Sequence, residues 1–216
     1  MTRVKICGIT RAADRTAAVD AGADAIGVTT AVPVDTPREV TPDQAATLLG
    51  DAPPFVTTVL VTMPADADAA TALVREVDPD VLQIHGSFAV EALEAVRDAT
   101  GVRILRAVDA GDQTAARSAA TVADGLLLDA ASETGRGGTG RTADWDGARA
   151  LRDSLDVPVV LAGGLTADTV GDAVRAVEPY GVDVASGVER TGGVKDHAAV
   201  ADFVANARGA LEAVPP

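Results

Sequence analysis

The chain has 216 residues, 47% of them hydrophobic, enough to bury a sizeable core and far from the composition of a disordered segment. Thirty-two acidic residues against eighteen basic ones give a net charge of −14, which excludes the positive face that nucleic acids and anionic membranes require. Only Phe55, Phe88, Phe203, Trp145 and Tyr180 are aromatic, so base-stacking platforms are scarce and the core must be built from Ala, Val, Leu and Ile.

Short β-branched runs alternate with Ala-rich stretches of helical spacing. In chain order the expected pairs are strand Val4–Cys7 with helix Ala12–Ala21, Ala25–Val28 with Pro42–Leu49, and Val56–Val61 with Ala67–Val77. Next come Val81–Ile84 with Ala89–Ala99, Arg103–Val108 with Gln113–Thr121, and Gly125–Leu128 with Ala143–Leu155. The last two are Val157–Leu161 with Ala167–Val177 and Val182–Ala185 with His197–Leu211.

The punctuation agrees. Thr41 before Pro42 and Thr166 before Ala167 read as helix N-caps, and Gly22, Gly101 and Gly181 read as helix stops. AGADAIGV, DPDVLQI, VADGLLLD and YGVDVAS repeat one grammar of helix stop, acidic residue and strand. Strands that run apolar without alternation are buried on both faces, which implies a parallel sheet. Eight units of about 27 residues suit a closed (β/α)₈ barrel, with an open doubly wound sheet as the rival. No linker divides the chain, so residues 1–216 are expected to form one barrel domain.

Cys7 is the sole cysteine, which rules out an internal disulfide and any multi-cysteine metal site. The charged N-terminus does not read as a signal peptide, and no run approaches about 18 apolar residues. The expected location is the cytoplasm. Of the acids 24 are Asp, and among the bases only Lys5 and Lys195 are Lys. Such an excess of charge repels itself unless salt screens it, which points to a salt-adapted cytoplasm.

In a barrel of this kind function gathers at the C-terminal strand ends. There the sequence places Cys7-Gly8, Thr29-Thr30, Gln83-Ile84-His85-Gly86, Val108-Asp109, Asp129, Gly163-Gly164 and Ser186-Gly187. Gly163-Gly164 and Ser186-Gly187 follow the seventh and eighth strands, where barrels often bind phosphate on backbone N–H groups; the plainer alternative is two tight turns. Cys7 is either an inert core thiol or a base aimed into the barrel mouth. Lys5, on the same strand face about 6.6 Å away, is then expected to lower the thiol's pKa. Asp129 closes a buried run, a partly desolvated setting that favours a general acid, unless it merely caps the following loop. Asp183 lies inside the eighth strand, either facing the pocket or serving a structural hydrogen bond.

Gly135 to Gly140 matches GxGxxG in form. It begins too far beyond its strand to be a dinucleotide fingerprint and reads instead as a loop able to cover a ligand. Neither Lys follows a Gly, so there is no Walker A sequence, and His85 and His197 are too isolated to suggest a metal site.

Taken together, Lys5-Ile6-Cys7-Gly8-Ile9-Thr10, Gln83-Ile84-His85-Gly86, Leu128-Asp129, Gly138-Thr139-Gly140, Leu161-Ala162-Gly163-Gly164-Leu165, Asp183-Val184-Ala185-Ser186-Gly187-Val188-Glu189 and Gly193-Val194-Lys195-Asp196 resemble the phosphoribosylanthranilate isomerase family. The resemblance covers nearly the whole chain in order. It implies a (β/α)₈ barrel of tryptophan biosynthesis that carries out an Amadori rearrangement of a phosphorylated small molecule without cofactor or metal, as a monomer or homodimer. It further implies Cys7 as general base, Asp129 as general acid and Arg38 as the grip on the anthranilate carboxylate. His85 and Asp183 would meet the substrate, while Gly163, Gly164, Ser186 and Gly187 would hold the phosphate. A histidine-pathway sugar isomerase would carry an aspartate where Cys7 stands, and a pentose-phosphate epimerase would need metal ligands. A catalytically silent barrel would need no acid–base pair. One departure is Gly27-Val28-Thr29-Thr30, where family members commonly carry aromatic residues, so the substrate ring would lack one packing partner.

The charge pattern sets a first test. Dialysis from molar to millimolar salt should unfold the protein, followed by circular dichroism; a fold indifferent to salt would refute the salt-adapted reading.

Overall fold

The computed structural model describes residues 1–130 and 145–210; the Gly135 to Gly140 loop lies outside them. The strands are β1 (Arg3–Ile6), β2 (Ala25–Thr29), β3 (Thr57–Thr62), β4 (Val81–Ile84), β5 (Arg103–Asp109), β6 (Gly125–Asp129), β7 (Val159–Ala162) and β8 (Gly181–Val184). Each pairs in parallel with the next, and β8 returns to β1, closing the barrel. That closure excludes the open doubly wound sheet.

Around the barrel lie α1 (Ala12–Asp20), α2 (Pro42–Gly50), α3 (Ala67–Val77), α4 (Val90–Thr100), α5 (Gln113–Ala119), α6 (Trp145–Asp153), α7 (Val170–Val177) and α8 (His197–Gly209). Outward strand residues such as Val4, Ile6, Ile26, Leu60, Leu82, Leu126 and Val182 form the main core with the buried faces of the helices. Phe203 of α8 is the largest fully buried apolar side chain among the described residues. Inward residues are smaller: Cys7, Val59 and Val61 make one cluster and Leu105, Ala107, Leu127 and Ala162 another. Burial on both faces explains the unbroken apolar runs.

The repeated acidic residue has a physical role. Asp24, Asp80 and Asp124 each stand one residue before an even-numbered strand. Each accepts a hydrogen bond from a backbone N–H of the strand before it, namely Val4 (2.8 Å), Thr58 (2.8 Å) and Ile104 (2.7 Å). The fourth copy departs from the pattern. Tyr180 occupies the position before β8 and only its carbonyl accepts, from Arg3 N–H, while Asp183 sits inside the strand.

Two expectations about punctuation need correction. Thr41 caps α2 in a full capping box with Gln44, but Thr166 does not cap α7. Residues 167–169 form a separate turn, whose Thr169 and Val170 N–H groups reach the Thr166 carbonyl, and the helix starts at Val170. Gly22 and Gly101 do end helices in positive φ. Gly181 instead belongs to β8, and α7 ends at Glu178 in the left-handed region, before Pro179. The sequence reading also passed over a hairpin of β9 (Glu189–Thr191) and β10 (Val194–Lys195), joined to β8 by a single 3₁₀ turn, Ser186–Val188. This hairpin supplies part of the site.

Candidate active site

A cavity of about 450 Å³ opens at the C-terminal end of the barrel. Its walls include the residues for which the family resemblance implies a role: Cys7, Arg38, His85, Asp129, Asp183, Gly163, Gly164, Ser186 and Gly187. A smaller cavity of about 330 Å³ lies at the other end, among strand starts such as Arg3, Thr57 and Arg103, and holds none of these groups.

Cys7 directly follows β1, its N–H bonded to the Val184 carbonyl at 2.8 Å. The register of β1 against β8 sets Lys5 beside Asp183, and Lys5 Nζ donates to Asp183 Oδ1 at 2.8 Å, both side chains buried. Gly27 of β2 makes room for this group. A Cβ there would lie 2.9 Å from Cys7 Sγ and 3.1 Å from Lys5 Nζ, closer than ordinary packing permits. Asp183 therefore has the structural bond that was one of its two readings, and also reaches the cavity wall.

Lys5 acts on Cys7 in the expected direction, but burial outweighs it. Burial pushes the thiol up; Lys5 opposes this and Asp183 adds to it, with Lys195 a weaker opposing charge, and the net direction is upward from 9.0. Proximity of Lys5 is real, but desolvation of the thiolate outweighs it. Burial pulls the Lys5 ammonium down, yet Asp183 and Cys7 more than compensate, so it stays charged.

His85 follows β4 and is partly buried. Burial, then the Lys5 charge, lowers its pKa below 6.5, leaving a neutral imidazole. Its Nε2 meets the side-chain amide of Gln83, and Gln83 Oε1 is buried in the cavity wall without a protein partner. Arg106 of β5 donates to the carbonyls of Ile84 (2.8 Å) and Gly86, gripping the chain on both sides of His85. An arginine among the apolar residues in the middle of β5 is the sequence signal for this clamp.

Asp129, the last residue of β6, is partly exposed at the cavity rim. The loops after β7 and β8 interlock: a Cβ on Gly187 would stand 1.9 Å from the Leu165 carbonyl oxygen. Gly163 and Gly164 adopt φ of 96° and 65°, and Gly164 faces open space. Both glycines line the cavity, so backbone and not side chain forms that stretch of its wall. Val32, Val34, Val61 and Met63 also line the wall, an apolar stretch that holds no aromatic residue.

Arg38 is oriented by a partner that the sequence did not suggest. Its Nε and Nη2 donate to Glu189 Oε1 (2.9 Å) and Oε2 (2.7 Å). Its stem lies over Gly8, where φ is 70° and a Cβ would come within 2.7 Å of Arg38 Cδ. Lys195 Nζ reaches the same Glu189 at 2.9 Å. Both Glu189 and Lys195 lie in segments noted in the sequence, without an assigned part.

The chain is similar to known proteins over nearly its whole length. Residues 4–206 match the family model described as N-(5'phosphoribosyl)anthranilate (PRA) isomerase. The N-(5'-phosphoribosyl)anthranilate isomerase of Haloferax volcanii is 58% identical over 214 residues, covering 99% of this chain and 96% of that protein. The phosphoribosyl anthranilate isomerase structure from Thermotoga maritima superposes with a TM-score of 0.86 at 33% identity, covering 97% of this chain and 100% of the other. A structure of such an isomerase in complex with reduced 1-(o-carboxyphenylamino)-1-deoxyribulose 5-phosphate gives 0.82 at 31% identity, with 97% and 100% covered.

Because Cys7 is the only cysteine, its titration can be followed by thiolate ultraviolet absorbance. The thiolate should emerge only at alkaline pH, above 9.0; a thiolate signal already present at pH 7 would overturn the assigned direction. Gly27→Ala should displace the thiol and lower kcat by about 10- to 100-fold with circular dichroism unchanged; full turnover would show that the close approach is unimportant.

Proposed function

The chain belongs to the phosphoribosylanthranilate isomerase family, and from that premise we propose how its own residues carry the reaction. The enzyme is an isomerase of tryptophan biosynthesis, converting N-(5-phosphoribosyl)anthranilate to 1-(2-carboxyphenylamino)-1-deoxyribulose 5-phosphate. The observation that carries the residue assignment is the convergence of Cys7, Asp129, Arg38 and both glycine loops on one cavity.

Asp129 gives a proton to the ribose ring oxygen. The C1′–O bond breaks as the anthranilate nitrogen lone pair forms the C1′=N bond, and a ring-opened Schiff base results. Cys7, as thiolate, then takes the proton from C2′. The C–H electron pair becomes C1′=C2′ and nitrogen recovers its lone pair. The resulting enolamine tautomerises, C1′ gaining a proton while the C2′ hydroxyl gives one up to become the ketone, and exchange with solvent returns Asp129 to the acid and Cys7 to the thiolate. Only protons pass between substrate and enzyme, and C1′ is reduced as C2′ is oxidised within the one molecule, so the scheme requires no external redox partner.

The productive arrangement has the proton on Asp129 and none on Cys7. Burial works against the thiolate, while Lys5 and Lys195 favour it. Neutral His85 offers a hydrogen bond without adding charge. Arg38 meets the anthranilate carboxylate, for which a planar guanidinium is better suited than an ammonium. Gly163, Gly164, Ser186 and Gly187 receive the phosphate on their N–H groups. Holding both ends of the substrate orients the reacting carbons.

Every group in this scheme comes from one chain, so it serves a monomer and a homodimer equally. We place the enzyme in a salt-rich cytoplasm, without nucleic acid or membrane partners, on the strength of its acidic surface. Among the described residues no helix is long and apolar enough to cross a membrane.

Cys7→Ser and Asp129→Asn should each leave the fold intact and lower kcat by about 10²- to 10⁴-fold, measured by the loss of anthranilate-type fluorescence in molar salt. Near-normal turnover in either variant would remove that residue from its role.

A further inference from the structure

Lys195 is fully buried, 0% exposed. Its Nζ donates to Glu189 Oε1 at 2.9 Å and to the Ala185 carbonyl at 3.0 Å. Ala185 is the residue directly before Ser186-Gly187, and Glu189 holds the Arg38 guanidinium through two bonds. One ammonium is therefore tied both to the loop after β8 and, through one carboxylate, to Arg38.

The hairpin that carries this pair is itself fixed. Thr10 Oγ1 donates to the Gly193 carbonyl at 2.6 Å, and a Cβ on Gly193 would lie 2.3 Å from the Pro37 carbonyl oxygen. The Lys195 N–H donates to buried Asp14 at 3.2 Å, whose carboxylate also meets Arg11 and His197. Burial would raise the Glu189 carboxyl, but its bonds from Arg38 and Lys195 outweigh that and lower it. The carboxylate is ionised and its position is determined from both sides.

We infer that Lys195 and Glu189 are positioning residues that set the Arg38 guanidinium at a fixed separation from the phosphate loop, so that the site selects a substrate by the distance between its two anionic ends. The inference rests on the reading of Arg38 as the carboxylate grip. A free arginine would lose side-chain freedom on binding; one already held by Glu189 has lost it beforehand. Charge alone predicts the opposite effect. Removing the Glu189 carboxylate makes the site more positive and should tighten its hold on an anion. The sign of the change in KM therefore separates orientation from net charge.

The test compares Glu189→Gln, Lys195→Met and Arg38→Ala in molar salt, reading kcat, KM and competitive inhibition by inorganic phosphate. Glu189→Gln should raise KM by about tenfold or more, with a smaller change in kcat and unaltered phosphate inhibition. Lys195→Met should weaken phosphate inhibition as well, since it also frees Ala185; if that variant does not fold, Glu189→Gln carries the test. Should Arg38→Ala raise KM while Glu189→Gln leaves it unchanged or lowers it, positioning is refuted and the Arg38 assignment stands. If Arg38→Ala leaves KM unchanged, the Arg38 assignment fails and the inference with it. An equal loss of phosphate inhibition in Glu189→Gln would mark general damage to the site and refute the inference.

Discussion

The barrel closes where β1 meets β8, and the register of that seam puts Lys5 directly opposite Asp183. Two charges buried this deeply stabilise little, because their desolvation offsets most of their attraction; losing one partner alone costs about 3–5 kcal/mol. A slip of the seam by one residue would turn one of them outward into the apolar layer against the helices. The pair thus disfavours every alternative closure. It also sets the field in which Cys7 sits, since Lys5 and Asp183 are the two charges that act most strongly on the thiol, with opposite signs.

Those opposed charges bear on the chemistry. A thiol dropped far below neutrality would be permanently ionised and a feeble base, whereas one raised by burial is a strong base that is seldom ionised. The Schiff base formed after ring opening acidifies the C2′ proton, which reduces the strength required. The ammonium groups of Lys5 and Lys195 favour the thiolate without contacting the reacting carbon in the proposed scheme. Gly27 allows the sulfur and Lys5 to approach together.

Periodicity revealed the eight strands and their helices because each is long enough to carry a repeat of apolar residues. It failed where structure is short or tertiary. The two- and three-residue strands of the β9–β10 hairpin have no period to read. Thr166 has a capping residue's chemistry, but a separate turn intervenes before Val170. Gly181 looked like a stop because glycine commonly is one, whereas here a Cβ would lie 3.2 Å from the Arg3 carbonyl oxygen across the seam. Most of the candidate residues were legible from the strand-end rule, since a barrel brings all its C-terminal strand ends to one mouth, although Arg38 lies in the loop beyond β2. The rule could not supply the Arg38–Glu189 bond, whose partners stand 151 residues apart. Nor could proximity of Lys5 in sequence disclose that burial governs the thiol.

Of eighteen basic residues only two are lysines, and both are buried, Lys5 at 5% and Lys195 at 0% exposure. The exposed cations are arginines. A surface adapted to screening has no evident use for lysine that arginine does not meet, but these two interior positions do. Lys5 stands in a space bounded by Gly27, Cys7 and Asp183, and Lys195 must direct one compact charge at both a carbonyl and a carboxylate. A planar five-donor guanidinium would leave donors unsatisfied in either place. In a chain otherwise depleted of lysine, the two that persist are those whose surroundings require a compact point charge.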